Sequence, residues 1–284
     1  MVGQSRSGTI IAHAILILGV VLTVFPLWLA IVASTQSSDV FLSGRLSLLP
    51  GTHGWENYRK VLFEGAGMAS AKTQPFIGVL ANSFIMAIII ASGKILISLL
   101  SAFAVVYFRF PFRTLAFFVI FMTLMLPVEV RILPTYEIIA RLDLLNTWAG
   151  LTVPLIASAT ATFLFRQFFL TVPEELTEAA LIDGAGPMDF FRHVLLPMSR
   201  TNIAALFVIL FIYGWNQYLW PLLVTTDARF TTVLISIKRL MTTTDDQPLY
   251  HLVMAVAVLA ALPPVLVIVL MQRLFVKGLV DVEK

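Results

Sequence analysis

This sequence predicts an all-α membrane protein with six transmembrane helices and a pair of short helices outside the bilayer between the fourth and fifth spans. Three observations predict it. Of 284 residues, 59% are hydrophobic and only 12% charged, with a mean hydropathy of +0.93. A soluble domain carries about 25% charged residues, so too little charge is present to coat a water-facing surface, and lipid must solvate much of the chain. Six apolar segments each approach or exceed the roughly 20 residues that a helix needs to cross a hydrocarbon core. One long segment, 171–197, interrupts this pattern with prolines, glutamates and glycines placed as helix starts and stops.

The spans fall at 10–33, 79–108, 115–133, 148–170, 203–224 and 252–275 of a single transmembrane domain covering 1–284. The first follows Arg6 and is longer than the roughly 7–15 residues of a signal-peptide core, so it is expected to stay in the membrane. The second is long enough to tilt or protrude. Residues 34–78 carry Pro50, Gly51, Gly54, Gly65, Gly67 and Pro75 and read as an irregular external loop with one short helix at Trp55–Phe63. Residues 135–145 mix apolar and charged side chains as an interfacial helix does. The polar, threonine-rich stretch 225–250 begins the last external loop. An even number of spans puts both termini on one side. Basic residues divide almost evenly between the two sides, but the tight, acid-free turn Arg109-Phe110-Pro111-Phe112-Arg113 favours cytoplasmic termini.

Several function classes are disfavoured. The chain has no cysteine, and His13, His53, His193 and His251 lie far apart, so no metal site is expected. A net charge of +3 and a pI near 9.3 fit loop lysines and arginines better than nucleic-acid binding. Gly93-Lys94 is followed by Ile95 and lacks the glycine of a phosphate-binding loop, and no Ser/His/Asp or His-Glu-x-x-His pattern occurs, so no catalytic residue is assigned. A secondary carrier would use internal repeats and several membrane carboxylates. No repeat is evident, and Glu129 is the one candidate acid.

The segment 171–197 carries the functional signal. Pro173 with Glu174 and Glu175 opens a helix, because proline suits the first turn and carboxylates favour the positive end of the helix dipole. Ala179 and Ala180 extend it, Gly184 suits a left-handed stop, Pro187 opens a second short helix and Pro197 limits that one. Small side chains at such a bend let another protein approach closely, and a carboxylate beside them can meet a partner's arginine.

Glu178-Ala179-Ala180, three residues, Gly184, nine residues, Val194, one residue and Leu196-Pro197 together resemble the EAA loop of ABC importer permeases. Val194 stands where isoleucine is usual. The resemblance implies a cytoplasmic loop that docks on a separate ATPase, with Glu178, Ala179, Ala180, Gly184 and Pro197 as ATPase-coupling residues. It also implies a second permease with its own EAA loop, two ATPase subunits that hold ATP and magnesium, and a periplasmic substrate-binding protein; this chain itself would hold no cofactor. Import would proceed by alternating access. Trp215-Asn216-Gln217-Tyr218-Leu219-Trp220-Pro221 and the tail from Gln272 to Leu279 are similar to the carbohydrate-uptake branch. The ending Val280-Asp281-Val282-Glu283-Lys284 departs from the usual neutral-sugar pattern. With 123–131, 158–169 and 211–223 it resembles the second permeases of sn-glycerol-3-phosphate importers. Glycerol-3-phosphate, with related glycerophosphodiesters, is then the implied substrate; neutral sugars or oligosaccharides are the alternative.

Lys94 lies mid-span, Glu129 and Arg131 lie near the external end of the third span, and Asn216 lies in the fifth. A charge at bilayer depth costs about 2.5–3.5 kcal/mol on insertion scales, so it faces protein or water. Arg131, Lys94 and Asn216 are therefore candidates for a substrate path suited to a phosphate ester. The competing readings pair Arg131 with Glu129, Glu137 or the partner permease, or extend it to the interface, and pair Lys94 across helices. Asn82, Asn216 and Gln217 also suit interhelical hydrogen bonds, and Tyr213, Trp215, Tyr218 and Trp220 an aromatic belt.

Overall fold

In the computed structural model, which describes residues 6–44, 47–65, 74–123, 126–242 and 249–280, all regular structure is helical. The segment expected as the first span is α1 (Arg6–Ser34), followed by α2 (Ser38–Leu42) and α3 (Gly54–Arg59), which runs on into a wider turn at Lys60–Glu64. The segment expected as the second is α4 (Phe76–Tyr107). The region of the third is divided between α5 (Arg113–Met122) and α6 (Val128–Arg141). The fourth comprises α7 (Trp148–Thr152), a tight turn at Val153–Leu155 and α8 (Ala159–Phe169). Next come α9 (Glu174–Ile182), α10 (Pro187–Phe190), a wide turn at Phe191–Leu195 and α11 (Leu196–Met198). The fifth comprises α12 (Arg200–Trp215) and α13 (Leu219–Val224); α14 (Val233–Thr242) and α15 (Tyr250–Val280) complete the order.

Three described helices are long and apolar enough to cross a membrane by themselves, and up to five crossings arise if each bent pair is one span. The single helix expected at 115–133 is instead two, because Pro127 has no N–H to donate and acts as the extended N-cap of α6 (φ −55°, ψ 145°). The interfacial helix expected at 135–145 is the later part of α6. The 148–170 span bends by 47° before α8, where Ser158 leaves helical geometry and its Oγ accepts from the Ala161 N–H at 3.3 Å. The 203–224 span breaks at Asn216–Tyr218. The helical stretch that opens at Pro187 ends at Met198, one residue beyond Pro197, and the chain turns by 72° into α12 around Ser199. The stretch read as a polar loop at 225–250 contains α14, whose Val233, Ile235 and Leu240 are buried.

The chain divides into two compact units, 1–80 with 236–262, and 81–235 with 263–284. In the first, α1 is exposed along most of its length and buried only near Val32, Ala33 and Ser34. There the Asn57 amide donates to the Ser34 and Gln36 carbonyls, both at 2.9 Å, and holds α3 against the end of α1. Phe41 stacks on Tyr250 at 6.0 Å.

In the second unit the core forms around α4. Ala87, Ile90 and Ala91 are fully buried, and Gly214 of α12 packs so closely that a Cβ there would lie 2.9 Å from the Ala87 Cα. Small residues let helix backbones meet where lipid offers no hydrophobic driving force. Asn146, in the left-handed region (φ 56°), accepts at Oδ1 from the Thr226 and Asp227 N–H groups at 2.7 and 2.9 Å. The Asn82 amide donates to the Arg229 and Thr231 carbonyls, and Ser83 Oγ accepts from the Val233 N–H. Asn82 thus pins a loop rather than a neighbouring span. Hydrogen bonds from Arg229 hold the Asp227 carboxyl below the usual carboxylate range.

Gly214→Val is expected to destabilise the unit by about 1–3 kcal/mol through overpacking against Ala87. The measurement is the thermal unfolding midpoint in detergent; an unchanged midpoint would show that α4 and α12 do not meet there.

Candidate functional site

Two features of the second unit stand out, a cavity with cationic walls and an uncovered helix at the end of an anchored loop. The cavity holds about 170 Å³ and is lined by side chains of four regions. Lys94 comes from α4, Arg131, Ile132 and Thr135 from α6, Ala157 from the break before α8, and Tyr213, Gln217 and Trp220 from the end of α12 and the start of α13. The helix interruptions, which apolarity alone does not reveal, therefore supply two of its walls. Irregular backbone at membrane depth is tolerated where it is buried in protein or faces a water-filled cavity.

Lys94 is 7% exposed, and its Nζ lies 3.9 Å from the Tyr213 ring centroid, a cation–π contact that offsets part of the cost of burial. Arg131 is exposed, and its carbonyl accepts from Thr135 Oγ1 at 2.7 Å. Trp220 donates Nε1–H to the Gly150 carbonyl at 3.1 Å and packs with Met86, Ile90, Ile139, Leu151 and Val224 behind the cavity. Gln217 donates to the Tyr213 carbonyl. Among the described residues no carboxylate lines the space, and Arg131 makes no ion pair with Glu137. The Glu129 side chain lies outside the described residues. Two cations, two hydroxyls and an amide around a volume of several water molecules suit a small anion with polar substituents.

Lys94 and Arg131 line the same cavity. Asn216 does not: it is exposed and closes the end of α12, while the adjacent Gln217 faces the cavity. Thr135 and Tyr213 were not singled out for the path, because nothing local marks them; their role depends on the break that turns α12 into α13.

The second feature begins at Pro173, which caps α9 in extended geometry, with Glu174 and Glu175 in the first turn. The helix ends in a Schellman motif: the Ala185 N–H donates to the Ala180 carbonyl at 2.9 Å and the Gly184 N–H to the Leu181 carbonyl at 3.1 Å, with Gly184 at φ +73°. No atom lies within 4 Å of a Cβ built on Gly184. No residue of α9 is buried; Glu178 and Ala179 are exposed, Ala180 is half-buried, and Leu181 and Ile182 are 69% and 86% exposed. Sequence reasoning missed those two apolar side chains, although their place beside Ala179-Ala180 was a signal for a docking face.

The chain beyond α9 is anchored. The Asp189 carboxylate accepts from the Gly186 N–H at 3.2 Å, and Phe190, Phe191 and Leu195 are buried. Phe191 meets Phe103 at 5.0 Å, Phe190 meets Tyr107 at 5.3 Å, and Tyr107 meets Phe169 at 6.1 Å while donating to its carbonyl at 3.3 Å. This aromatic clamp ties the loop to the ends of α4 and α8. Pro197 is half-buried beside it.

Residues 94–281 match the family described as binding-protein-dependent transport system inner membrane component. The chain is 57% identical to the sn-glycerol-3-phosphate transport system permease protein UgpE of Agrobacterium fabrum, 56% to that of Brucella melitensis and 55% to that of Salmonella typhi, each over the full length of both chains. Its fold matches, with a TM-score of 0.82, a chain in the crystal structure of a bacterial ABC transporter involved in the import of the acidic polysaccharide alginate, at 20% identity over 96% of this chain and 99% of that one. With two thirds of its length matched by the family model and relatives above half identity from end to end, this chain belongs to the inner-membrane permease components of binding-protein-dependent ABC transport systems.

Proposed function

We propose that this chain is the second permease subunit of an ATP-driven importer of sn-glycerol-3-phosphate, and that the Lys94–Arg131 cavity is where it meets the phosphate. The observation that carries this reading is a cavity with two cations and, among the described residues, no lining carboxylate, in a chain whose full-length relatives are named for sn-glycerol-3-phosphate transport. A phosphomonoester carries close to two negative charges at neutral pH, and an arginine fork beside an ammonium complements it, whereas a neutral sugar would leave both cations uncompensated.

The chain would cross the inner membrane six times as one permease domain over 1–284, by α1, α4, α5 with α6, α7 with α8, α12 with α13, and α15. Both termini would be cytoplasmic. Support comes from the acid-free arginine turn at 109–113 and the clamp that puts it at the same end of the helices as the 171–197 loop. That loop would dock on the ATPase through Glu178, Ala179, Ala180, Gly184 and the bare side chains of Leu181 and Ile182, with Pro197 setting the turn into α12. A second permease, two ATPases carrying ATP and magnesium, and a periplasmic binding protein would complete the importer. Closure of the ATPases would move α9, the aromatic clamp would pass the movement to α4 and α8, and the cavity would alternate between the two sides of the membrane.

Gly184→Asp should keep membrane insertion and complex yield while uptake falls by about tenfold or more, since the side chain is strained at φ +73° and occupies the open space left for a partner. Wild-type uptake in that variant would remove the docking role. For the cavity, Arg131→Lys keeps the charge but loses the fork, so uptake at limiting substrate should drop about tenfold, the value of one charge-assisted contact, with assembly intact. Unaltered uptake in Arg131→Ala, or full rescue when Arg131→Glu is combined with Glu129→Arg, would assign Arg131 to structure instead.

A further inference from the structure

A second cationic site lies away from the Lys94–Arg131 cavity, at the end of the second unit that carries the 171–197 loop. Here α4, α5 and α8 enclose a cleft of about 100 Å³ lined by Val105, Val106, Arg113, Thr114, Phe117 and Arg166. The Arg166 guanidinium lies 4.2 Å above the Phe117 ring, and its Nε is buried without a hydrogen-bond partner among the described residues. Arg113 projects from the first turn of α5, a helix whose N-cap, Phe112, offers no side-chain acceptor to the free N–H groups. A buried, unpartnered guanidinium nitrogen is costly, and the cation–π contact satisfies the ring face but none of the donors.

The helices around this cleft offer no carboxylate to these donors. No Asp or Glu occurs between Glu64 and Glu129, nor between Asp143 and Glu174, so α4, α5 and α8 contain no acid. Neither arginine takes part in an ion pair among the described residues. A counter-anion for this pair would have to come from outside these three helices.

We infer that the Arg113–Arg166 cleft binds the phosphodiester of an anionic phospholipid. Two arginine forks and an uncapped helix start offer the donor set that a phosphate takes, and basic pockets between membrane helices serve anionic headgroups in this way. The surroundings distinguish a lipid from a free phosphate. Beside the cleft, α5 carries exposed Leu115, Phe118, Val119 and Met122, and Phe112 is exposed just before it, a surface along which an acyl chain can lie. The site is independent of substrate binding at Lys94 and Arg131.

The test is native mass spectrometry of the purified transporter complex supplied with phosphatidylglycerol or phosphatidylcholine in mixed micelles, with inorganic phosphate as competitor. The wild type should retain phosphatidylglycerol in preference to phosphatidylcholine, and millimolar phosphate should not displace it. Arg113→Gln, at an exposed position that does not threaten folding, should lower retention about tenfold, and Arg113→Gln with Arg166→Gln should abolish the preference. Equal retention of the two lipids by the wild type, or unchanged preference in Arg113→Gln, would overturn the inference. So would ready displacement by phosphate, which would assign a free-anion site. Loss of complex assembly with lipid retention intact would assign the arginines to a carboxylate of the partner permease and equally overturn it.

Discussion

Five rings at one end of α4 hold together what the rest of the molecule requires. Phe103 and Tyr107 meet Phe190 and Phe191 of the loop, and Phe169 at the end of α8 closes the group. Each such pair is worth about 0.5–1.5 kcal/mol beyond the area it buries. The clamp lets the loop leave α9 with no buried residue. A nine-residue helix packed on nothing is marginal in water, so α9 depends on its two ends: carboxylates in the first turn and the Schellman closure at Gly184. The clamp secures the chain immediately after that closure. A helix so held, with Leu181 and Ile182 facing solvent, is built for a partner to cover.

The same economy governs the helix breaks. Broken helices leave backbone groups without partners, and in hydrocarbon each unsatisfied group costs several kcal/mol. Here the breaks are closed by side chains. Thr147 and Ser158 cap α7 and α8, Trp220 donates to the Gly150 carbonyl, and Thr225 Oγ1 donates to the Pro221 carbonyl at 2.7 Å. With those groups satisfied, α7–α8 and α12–α13 can turn aside and leave room for Lys94 and Arg131. The cavity exists because the spans are discontinuous.

That relation explains what was legible in the sequence. Proline, glycine and glutamate have local conformational consequences, so Pro173, Gly184 and Pro187 marked α9 and α10 where the structure has them. Lys94 and Arg131 were legible because a charge is conspicuous in an apolar run. Apolarity, however, measures solvation and not continuity. The stretches 148–170 and 203–224 are both predominantly apolar, yet each is broken in the structure, and the Trp220–Gly150 hydrogen bond that joins α13 to α7 links positions 70 apart. The choice of Gln217 over Asn216 as a cavity side chain comes from the same break. Asn82 read as a span residue, and its partners at Arg229 and Thr231 lie about 150 positions away, beyond any local pattern. The interval between α13 and α14 likewise depends on that pin and on Ser83.

The central claim is that α9 is the contact through which a separate ATPase drives this permease. The chain contains no cysteine, so Ile182→Cys introduces a unique attachment point at the most exposed apolar position of the loop. With a benzophenone maleimide attached there, irradiation of membranes containing the assembled transporter should join this chain to the ATPase subunit, and nucleotide should alter the yield. Absence of that adduct in an assembled, ATP-hydrolysing complex would contradict the account.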